Sequence, residues 1–505
     1  MKAFFKMNIL LLSILAFASC AISPDYNRPE VHKKEAWSEF EPTAVLPSQI
    51  IQTDWWTNFN DPYLNELITE ALSGSLDLRI LAGRIQEAEI TIKQTRAGAL
   101  PSVNSSANTR YSRGTQYGSE SFDSKNTEDD TDSPDLEDII NENQSTSDLN
   151  TNPGNSQYIN ASLDINWEID IWGKNKNDYL ATKAEYKASE ADYRAGYLKL
   201  VSDVANAYFQ LCKTDEQVEM SQKFYADNRE KLDIYKNQYS EGLIPEWKVS
   251  RQEAEVKSSE QGLLELDRNR KRLENGIAVL LGRPAGEFKI PKTKLRGQLQ
   301  IVRVPAGIPS DLLSRRPDIV AAEYRVLKAH HQIAKAKADR LPSISFSGNG
   351  GFSSSGLSSL LSQWTLGFGP RISLPIFDAG RREAQVAMNE MQARSAENRY
   401  RQTIMKAFEE VENALINLDS RSKQKAILED KVRTMRQVRA QTIAKFEMGL
   451  ISQLEILDIE RELFTSEKSL LEMHRSILED TVTLFKALGG GWPKETVNSY
   501  SLSCL

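Results

Sequence analysis

The 505-residue sequence predicts an α+β membrane protein that is built as a tandem repeat and combines membrane-type strands with very long helices. Two halves of the chain resemble each other, one stretch near residue 165 alternates strictly between apolar and polar residues, and the long stretches 154–244 and 376–492 lack proline. With 40% apolar residues, the chain has no run of the ~18–20 apolar residues that a spanning helix needs. The net charge of −7 argues against a nucleic-acid partner.

The N-terminus predicts export and lipidation. Two lysines precede the apolar run 9–17, and two small residues then lead to Cys20, in the order of a secretory signal. A cysteine at this place resembles a bacterial lipobox, so we expect a lipoprotein signal peptide at 1–19 and diacylglycerol and N-acyl chains on Cys20. These chains anchor the segment 20–75 in the outer membrane. The alternative is an ordinary signal peptide with an incidental cysteine.

The two halves, 76–290 and 317–489, follow the same internal order. Gly242-Leu243-Ile244 recurs 207 positions later as Gly449-Leu450-Ile451, and the offset holds without a gap over some eighty residues. Upstream of the strands the offset is 241, so the first half carries an insertion of 34 residues. The linker 291–316 separates the halves, and the tail 490–505 follows them.

The insertion is acidic. Residues 119–148 contain eleven Asp or Glu and one Lys. Such a segment buries too little apolar surface to offset its ordering entropy, so it predicts a disordered loop within 117–155. The remainder of the chain is therefore close to neutral, and the acidity belongs to one loop.

Each half begins with a helical stretch, 76–99 or 317–340, and ends with two long helices joined by a tight turn. The first long helix of each half is predicted at 174–240 and 381–448. At 1.5 Å per residue either helix is ~100 Å long, which exceeds any globular core. Such helices pack lengthwise on one another, as in coiled coils.

Between these helices each half holds two strand-like stretches. From 159 to 171 every odd residue is apolar and every even residue is polar, and 364–376 repeats the pattern; weaker strands precede them at 103–113 and 343–353. The period of two indicates one wet and one apolar face, with aromatic residues at the strand ends. A soluble sandwich edge is the alternative. Four strands cannot close a membrane barrel, so we expect several chains to pool their strands, eight from two chains or twelve from three.

The order of these features resembles the TolC/OprM outer-membrane efflux family, and the segment 24–29 (Pro-Asp-Tyr-Asn-Arg-Pro) resembles its lipoprotein (NodT/OprM-like) branch. The resemblance covers nearly the whole chain. It implies a homotrimer with a twelve-stranded outer-membrane β-barrel, four strands per chain, continued by a long periplasmic α-helical barrel. It also implies a periplasmic adaptor (membrane fusion) protein and an inner-membrane RND transporter as partners, and it makes the acidic insertion an extracellular loop.

Motifs for chemistry are absent from the sequence: it has no P-loop, no Gly-x-Ser-x-Gly and no HExxH. His330 and His331 diverge by ~100° on a helix, which disfavours a shared metal. Trp55 and Trp56 are interpreted as packing residues. We therefore expect no enzyme activity, no metal and no cofactor apart from the lipid.

The candidate site is the pair of turns between the long helices. Gly242 and Leu243 mark one tip and Gly449 and Leu450 the other, and the resemblance makes these tips the contact with the adaptor. Just beyond the second tip, Glu455 and Asp458 share one helix face, and several chains around one axis bring these carboxylates together. The resemblance places them in a periplasmic constriction with Leu454 between them. Glu455 also fits a capping box with Ser452. The first half has Lys248 and Arg251 at the equivalent positions, which suggests a latch between basic and acidic tips.

Three functions follow from these features. The first is the passive exit duct of a tripartite efflux pump, located in the outer membrane. The second is the exit duct of a type I protein secretion system. The third is a surface lipoprotein with a coiled-coil stalk that does not conduct ions.

Overall fold

The computed structural model describes residues 22–24, 26–30, 37, 53–115, 153–295, 315–354 and 363–491. The acidic insertion, Cys20, Cys504 and most of the predicted linker lie outside these residues. Two compact units divide the described chain. One contains Arg96–Asn175 with Asp339–Asp378 and holds the strands, and the other holds most of the helices.

The helical unit consists of two short entry helices and two long hairpins. Its elements are a 3-10 turn at Trp55–Phe59 and the helices α1 Pro62–Gly74, α2 Leu76–Gly98, α3 Lys174–Ser240, α4 Glu246–Leu280, α5 Pro317–Ala338, α6 Arg381–Glu447 and α7 Gln453–Ala487. α3 and α6 have 67 residues each, so α3 matches its predicted range and α6 ends one residue before the predicted 448. None of the described helices is long and apolar enough to cross a membrane.

The tandem repeat is visible in the backbone at the end of each hairpin. In the first half, the N–H of Gly282 donates to the carbonyl of Val279 at 3.0 Å and that of Arg283 to the carbonyl of Ala278 at 2.8 Å. In the second half, the N–H of Gly489 donates to Lys486 at 3.0 Å and that of Gly490 to Phe485 at 2.9 Å. All four positions differ by 207. Both helices therefore end in the same glycine-dependent cap.

The main hydrophobic core lies where α1 and the 3-10 turn pack on α3, α4 and α7. The ring of Trp55 is fully buried and stacks on Phe485 with the centroids 4.8 Å apart, which confirms Trp55 as a packing residue. Asp61 joins this core to the start of α1. One carboxylate oxygen of Asp61 accepts from the N–H groups of Tyr63 and Leu64 at 2.9 and 3.1 Å, and the other accepts from the Tyr208 hydroxyl at 2.8 Å.

The strand unit is one antiparallel sheet in the order β1-β2-β3-β4. Its strands are β1 Ser102–Thr115, β2 Pro153–Ile169, β3 Ser343–Ser354 and β4 Trp364–Ser373. β2 begins inside the range predicted as loop, because its pairing with β1 continues to Thr115 and Pro153. β4 ends before the predicted residue 376, since Pro375 has no N–H to give to the ladder.

The register places apolar residues on one face of the sheet. In antiparallel pairs, directly opposed residues share a face. The rows run from Ile165 through Gly348 to Phe368 and from Leu163 through Gly350 to Leu366, while the opposite face carries Asn, Ser, Thr, Asp, Glu, Arg and Gly. In one chain the apolar face is uncovered, with Phe368 78% and Leu366 71% exposed.

Aromatic residues close both ends of this apolar face. Trp167 opposes Phe346 at one end, and Phe352 opposes Trp364 at the other. The six residue steps from Phe346 to Phe352 on β3 span ~20 Å at the usual strand rise. This height approaches the ~25 Å apolar band, flanked by aromatic girdles, of outer-membrane strands.

Candidate functional site

The two hairpin tips are built by the same backbone turn. In the first, the N–H of Gly242 donates to Tyr239 at 2.9 Å and that of Leu243 to Gln238 at 2.8 Å. In the second, Gly449 donates to Phe446 at 2.8 Å and Leu450 to Lys445 at 2.9 Å. Gly242 and Gly449 have φ of +75° and +74°, a conformation that glycine adopts without strain. The repeat in sequence is thus a repeat in turn geometry.

Both tips expose large apolar side chains. Leu243 is 67% and Leu450 69% exposed, and the exposed apolar residues beside them are Tyr239, Trp247, Met448 and Leu454. Exposed apolar clusters on a protein surface mark contact sites for another molecule. The predicted tip residues are therefore available to a partner on both hairpins.

Glu455, Asp458 and Leu454 all lie on the exposed surface of α7, in its first two turns. The N-cap Ser452 makes no side-chain cap hydrogen bond, so its half of the expected capping box is missing. Glu455 is therefore not committed to capping its helix through Ser452.

Lys248 and Arg251 lie on the first turns of α4. The Lys248 ammonium is 5.9 Å from the centre of the Trp247 ring, and Arg251 is exposed. Among the described residues, no ion pair joins either of them to Glu455 or Asp458. A latch between these groups does not form within one chain, and it stays a prediction for contacts between chains.

A different charged cluster joins the two hairpins above the tips. Glu460 on α7 contacts Lys231 on α3 and lies 3.2 Å from the guanidinium of Arg439 on α6. Tyr235 is buried beside it, and burial together with the Glu460 charge raises the pKa of this phenol to about 12. Local spacing in the sequence did not indicate this cluster, because Lys231 and Glu460 are 229 residues apart.

The segment that follows the predicted lipidation site lies along the helices. The carbonyl of Ile22 accepts from the Asn177 side chain at 2.9 Å, and the Arg28 guanidinium lies 2.8 Å from Glu323. His330 and His331 have separate partners, Glu397 and Asn177. In the described part of the chain, no three His, Cys, Asp or Glu side chains are placed to hold a metal ion.

An apolar strand face between two aromatic rows, together with two helices ~100 Å long that each form a hairpin with a shorter helix, defines a channel-forming protein of the outer membrane. The chain belongs to the outer membrane efflux protein family, whose model matches residues 67–283 and 308–490.

Similar proteins support this assignment over almost the full length. The cation efflux system protein CusC of Escherichia coli K12 is 27% identical, over 94% of this chain and 97% of its own. The probable outer membrane lipoprotein SilC of Salmonella typhimurium is 28% identical, over 97% of this chain and 99% of its own. A solved structure of CusC matches with a TM-score of 0.77 at 27% identity, covering 94% of this chain and all of the other. The outer-membrane channel OprN matches with 0.78 at 26% identity, also over 94% of this chain.

The comparisons confirm the predicted fold class, with four barrel strands per chain followed by long periplasmic helices. They also confirm the predicted function and location: the chain is the outer-membrane exit channel of an efflux system.

Proposed function

We propose that three copies of this chain close a twelve-stranded barrel and a twelve-helix tunnel that conducts solutes passively. The single observation that carries the proposal is the four-stranded sheet with an uncovered apolar face and two open edges, β1 and β4. Open edges are costly in lipid, so the sheet needs further chains. Two chains give a barrel of eight strands, and side chains fill the interior of such a barrel. Three chains give a barrel that is wide enough for a passage.

The tips are proposed to dock a periplasmic adaptor protein that connects the channel to an inner-membrane RND transporter. The exposed apolar residues on both tips support such a contact. Relatives are named for the efflux of cations, antibiotics and toluene, which favours small solutes over the protein cargo of type I secretion. The pump, rather than the channel, supplies the energy, and the channel performs no catalysis.

The lipid on Cys20 is proposed to hold the chain at the membrane surface. Ile22, two residues further on, is bonded to Asn177 in the first turn of α3. Two residues reach at most ~7 Å, so the acyl chains enter the membrane near the start of that helix.

Glu455 and Asp458 are proposed to line the periplasmic constriction with Leu454. Three chains bring six of these carboxylates around one axis, where they attract cations and neighbouring basic tips. Lys248 and Arg251 of adjacent chains are the basic groups available for such a latch.

Outer-membrane fractions test the channel. We expect heat-modifiable trimers and single-channel conductance in planar bilayers. A protein that forms no trimers and conducts no ions would instead fit the stalk-like surface lipoprotein.

The constriction is tested separately by Asp458→Ala and Arg251→Ala. We expect each to raise the conductance of the reconstituted channel, because each removes one side of the latch. Asp267→Ala, an exposed carboxylate on α4, is the control. Unchanged conductance in both tip variants would remove the latch.

A further inference from the structure

Two tryptophans hold together the end of the sheet at which the strands join the helices. The indole N–H of Trp167, near the end of β2, donates to the carbonyl of Ala99, just before β1, at 3.1 Å. The indole N–H of Trp172 donates to the carbonyl of Pro342, just before β3, at 2.7 Å. The chain that leaves β2 is therefore fixed to the chains that enter β1 and β3. We call this region the entry edge; it comprises residues 96–101, 167–174 and 339–342.

The entry edge carries two arginines without a described counter-charge. Arg96 lies in the last turn of α2 and Arg340 lies two residues before Pro342, and both are exposed. Among the residues that the structure describes, no carboxylate forms an ion pair with either guanidinium. Asp339, the neighbour of Arg340, pairs instead with Lys174 at 3.0 Å. The edge thus offers two cationic groups to a ligand from outside the chain.

These arginines lie where the apolar face of the sheet begins. Trp167 belongs to that face, since it opposes Phe346, and its bond to Ala99 brings the end of α2 to the same side. Glu168 lies on the polar face, opposite Ser345. All four strands join helices at this end. In the outer membrane the entry edge therefore meets the periplasmic leaflet.

Beyond the entry edge the apolar face has a notch on β3, formed by Gly348 and Gly350 between larger residues of β2 and β4. A Cβ on Gly348 would meet its nearest atoms at 3.8 Å, so no neighbour requires glycine there. The strand pairing is continuous, without a bulge. A strand glycine without these reasons marks a place where a ligand approaches the backbone. From Phe346 to Gly350 the notch runs ~14 Å, about half of the ~30 Å hydrocarbon core.

We propose that the entry edge and the notch together bind one anionic phospholipid per chain. Arg96 and Arg340 hold the phosphate, and one acyl chain lies along Gly348 and Gly350. Guanidinium groups bind phosphate oxygens through paired N–H donors, and basic groups beside a membrane segment attract anionic lipids. Trp167 lies between headgroup and chain, at the level where amphipathic rings collect in membranes. The inference rests on the lipid-facing sheet of the proposed function and adds a partner of defined charge.

Two lipids with the same acyl chains test the charge of the headgroup. Phosphatidylglycerol carries a net negative charge, and phosphatidylcholine carries none. The wild-type protein in non-ionic detergent is titrated with each lipid, and native mass spectrometry counts the bound lipids per chain. We expect one tightly bound phosphatidylglycerol per chain. Its affinity should exceed that of phosphatidylcholine by roughly 30-fold, the product of about five-fold for each arginine.

Substitution of the two arginines tests their role. Arg96→Gln with Arg340→Gln should remove most of the preference for phosphatidylglycerol and leave the binding of phosphatidylcholine unchanged. Arg229→Gln with Arg272→Gln removes two exposed arginines of α3 and α4 and is the matched control. Equal affinity of the wild type for both lipids, or an equal loss of preference in the control, would overturn the proposal.

Two further measurements test the acyl chain. Inorganic phosphate, in excess over the lipid and at constant ionic strength, should not displace phosphatidylglycerol; displacement would mean a site for a free anion. Gly348→Leu fills the notch and should weaken both lipids by the same factor. Thr109→Leu adds apolar bulk on the same face, on β1, and should leave both affinities unchanged. A Gly348→Leu protein that binds both lipids like the wild type would contradict the place of the acyl chain.

The result can be separated from that of the channel proposal. A wild-type protein that forms no trimers but prefers phosphatidylglycerol would refute the assembly and support the lipid site. Conducting trimers without this preference would refute the lipid site alone.

Discussion

At the scale of one residue, burial disfavours the ionised form of the Asp480 side chain. The carboxyl is buried on α7, with the Arg421 guanidinium 2.8 Å away. Burial raises its pKa to about 6; Arg421 opposes this rise and Glu479 adds to it. A carboxyl whose pKa is raised by folding binds its proton more tightly in the folded state. Its contribution to stability is complete below about pH 4 and is lost as the pH rises through about 6.

The corresponding prediction compares wild type with Asp480→Asn, which cannot ionise. The difference in melting temperature, wild type minus variant, should decrease as the pH rises from about 4 to about 7. Only the wild type carries a buried carboxyl that ionises over this range. Thermal unfolding in detergent, followed by circular dichroism, measures the difference. A difference that stays constant with pH would contradict the raised pKa.

Substitution of Asp61 is expected to lower the stability of the fold more than substitution of Asp480. Asp61→Ala removes the N-cap of α1 and the partner of the buried Tyr208 hydroxyl, and we expect a loss of about 2 kcal/mol or more. Tyr208→Phe removes only the hydroxyl contact and should cost less. Denaturant unfolding measures both, and equal losses would mean that the cap contributes nothing.

At the scale of elements, the hairpin tips carry a backbone requirement. A Cβ on Gly449 meets no atom within 4 Å, so the cost of Gly449→Ala comes from its positive φ alone, about 1 kcal/mol. A Cβ on Gly262 of α4 also meets no atom within 4 Å, and the backbone there is helical. Gly262→Ala should therefore stabilise the protein by about 0.4–1 kcal/mol. Opposite shifts in melting temperature are expected, and shifts of the same sign would exclude the backbone explanation.

The long helices and strands were predictable because each follows one local rule. The proline-free stretch 154–244 contains α3, whose predicted range 174–240 matches the structure, and the period of two located β2 near Ile165. α1 was not predicted, although Asp61 before Pro62 and the i, i+3, i+4, i+7 spacing of Leu64, Leu67, Ile68 and Ala71 are local signals of a capped amphipathic helix. The Glu460 cluster could not be found by local spacing, because its members lie on three different helices. Glu455 and Asp458, which were predicted to form the gate, lie on the exposed face of α7, and their role between chains stays a prediction.

At the scale of the whole molecule, the apolar face of the sheet decides whether chains assemble in a membrane. Phe368→Arg places a cation in the middle of this face, at a cost of about 2–4 kcal/mol in lipid. We expect fewer heat-modifiable trimers in the outer-membrane fraction. Ser347→Arg lies on the polar face of the neighbouring strand and should leave the trimer yield unchanged. Equal yields for both variants would contradict the assignment of the lipid face.

The same face has a consequence for biogenesis. Until a chain meets its partners, Trp364, Leu366 and Phe368 face water beside an open strand edge, a combination that favours aggregation. The exported chain therefore has to cross the periplasm under the protection of a holding chaperone, or reach the membrane faster than it meets other unassembled copies. Its cellular yield is expected to depend on export rate and chaperone supply more than on the stability of the finished channel.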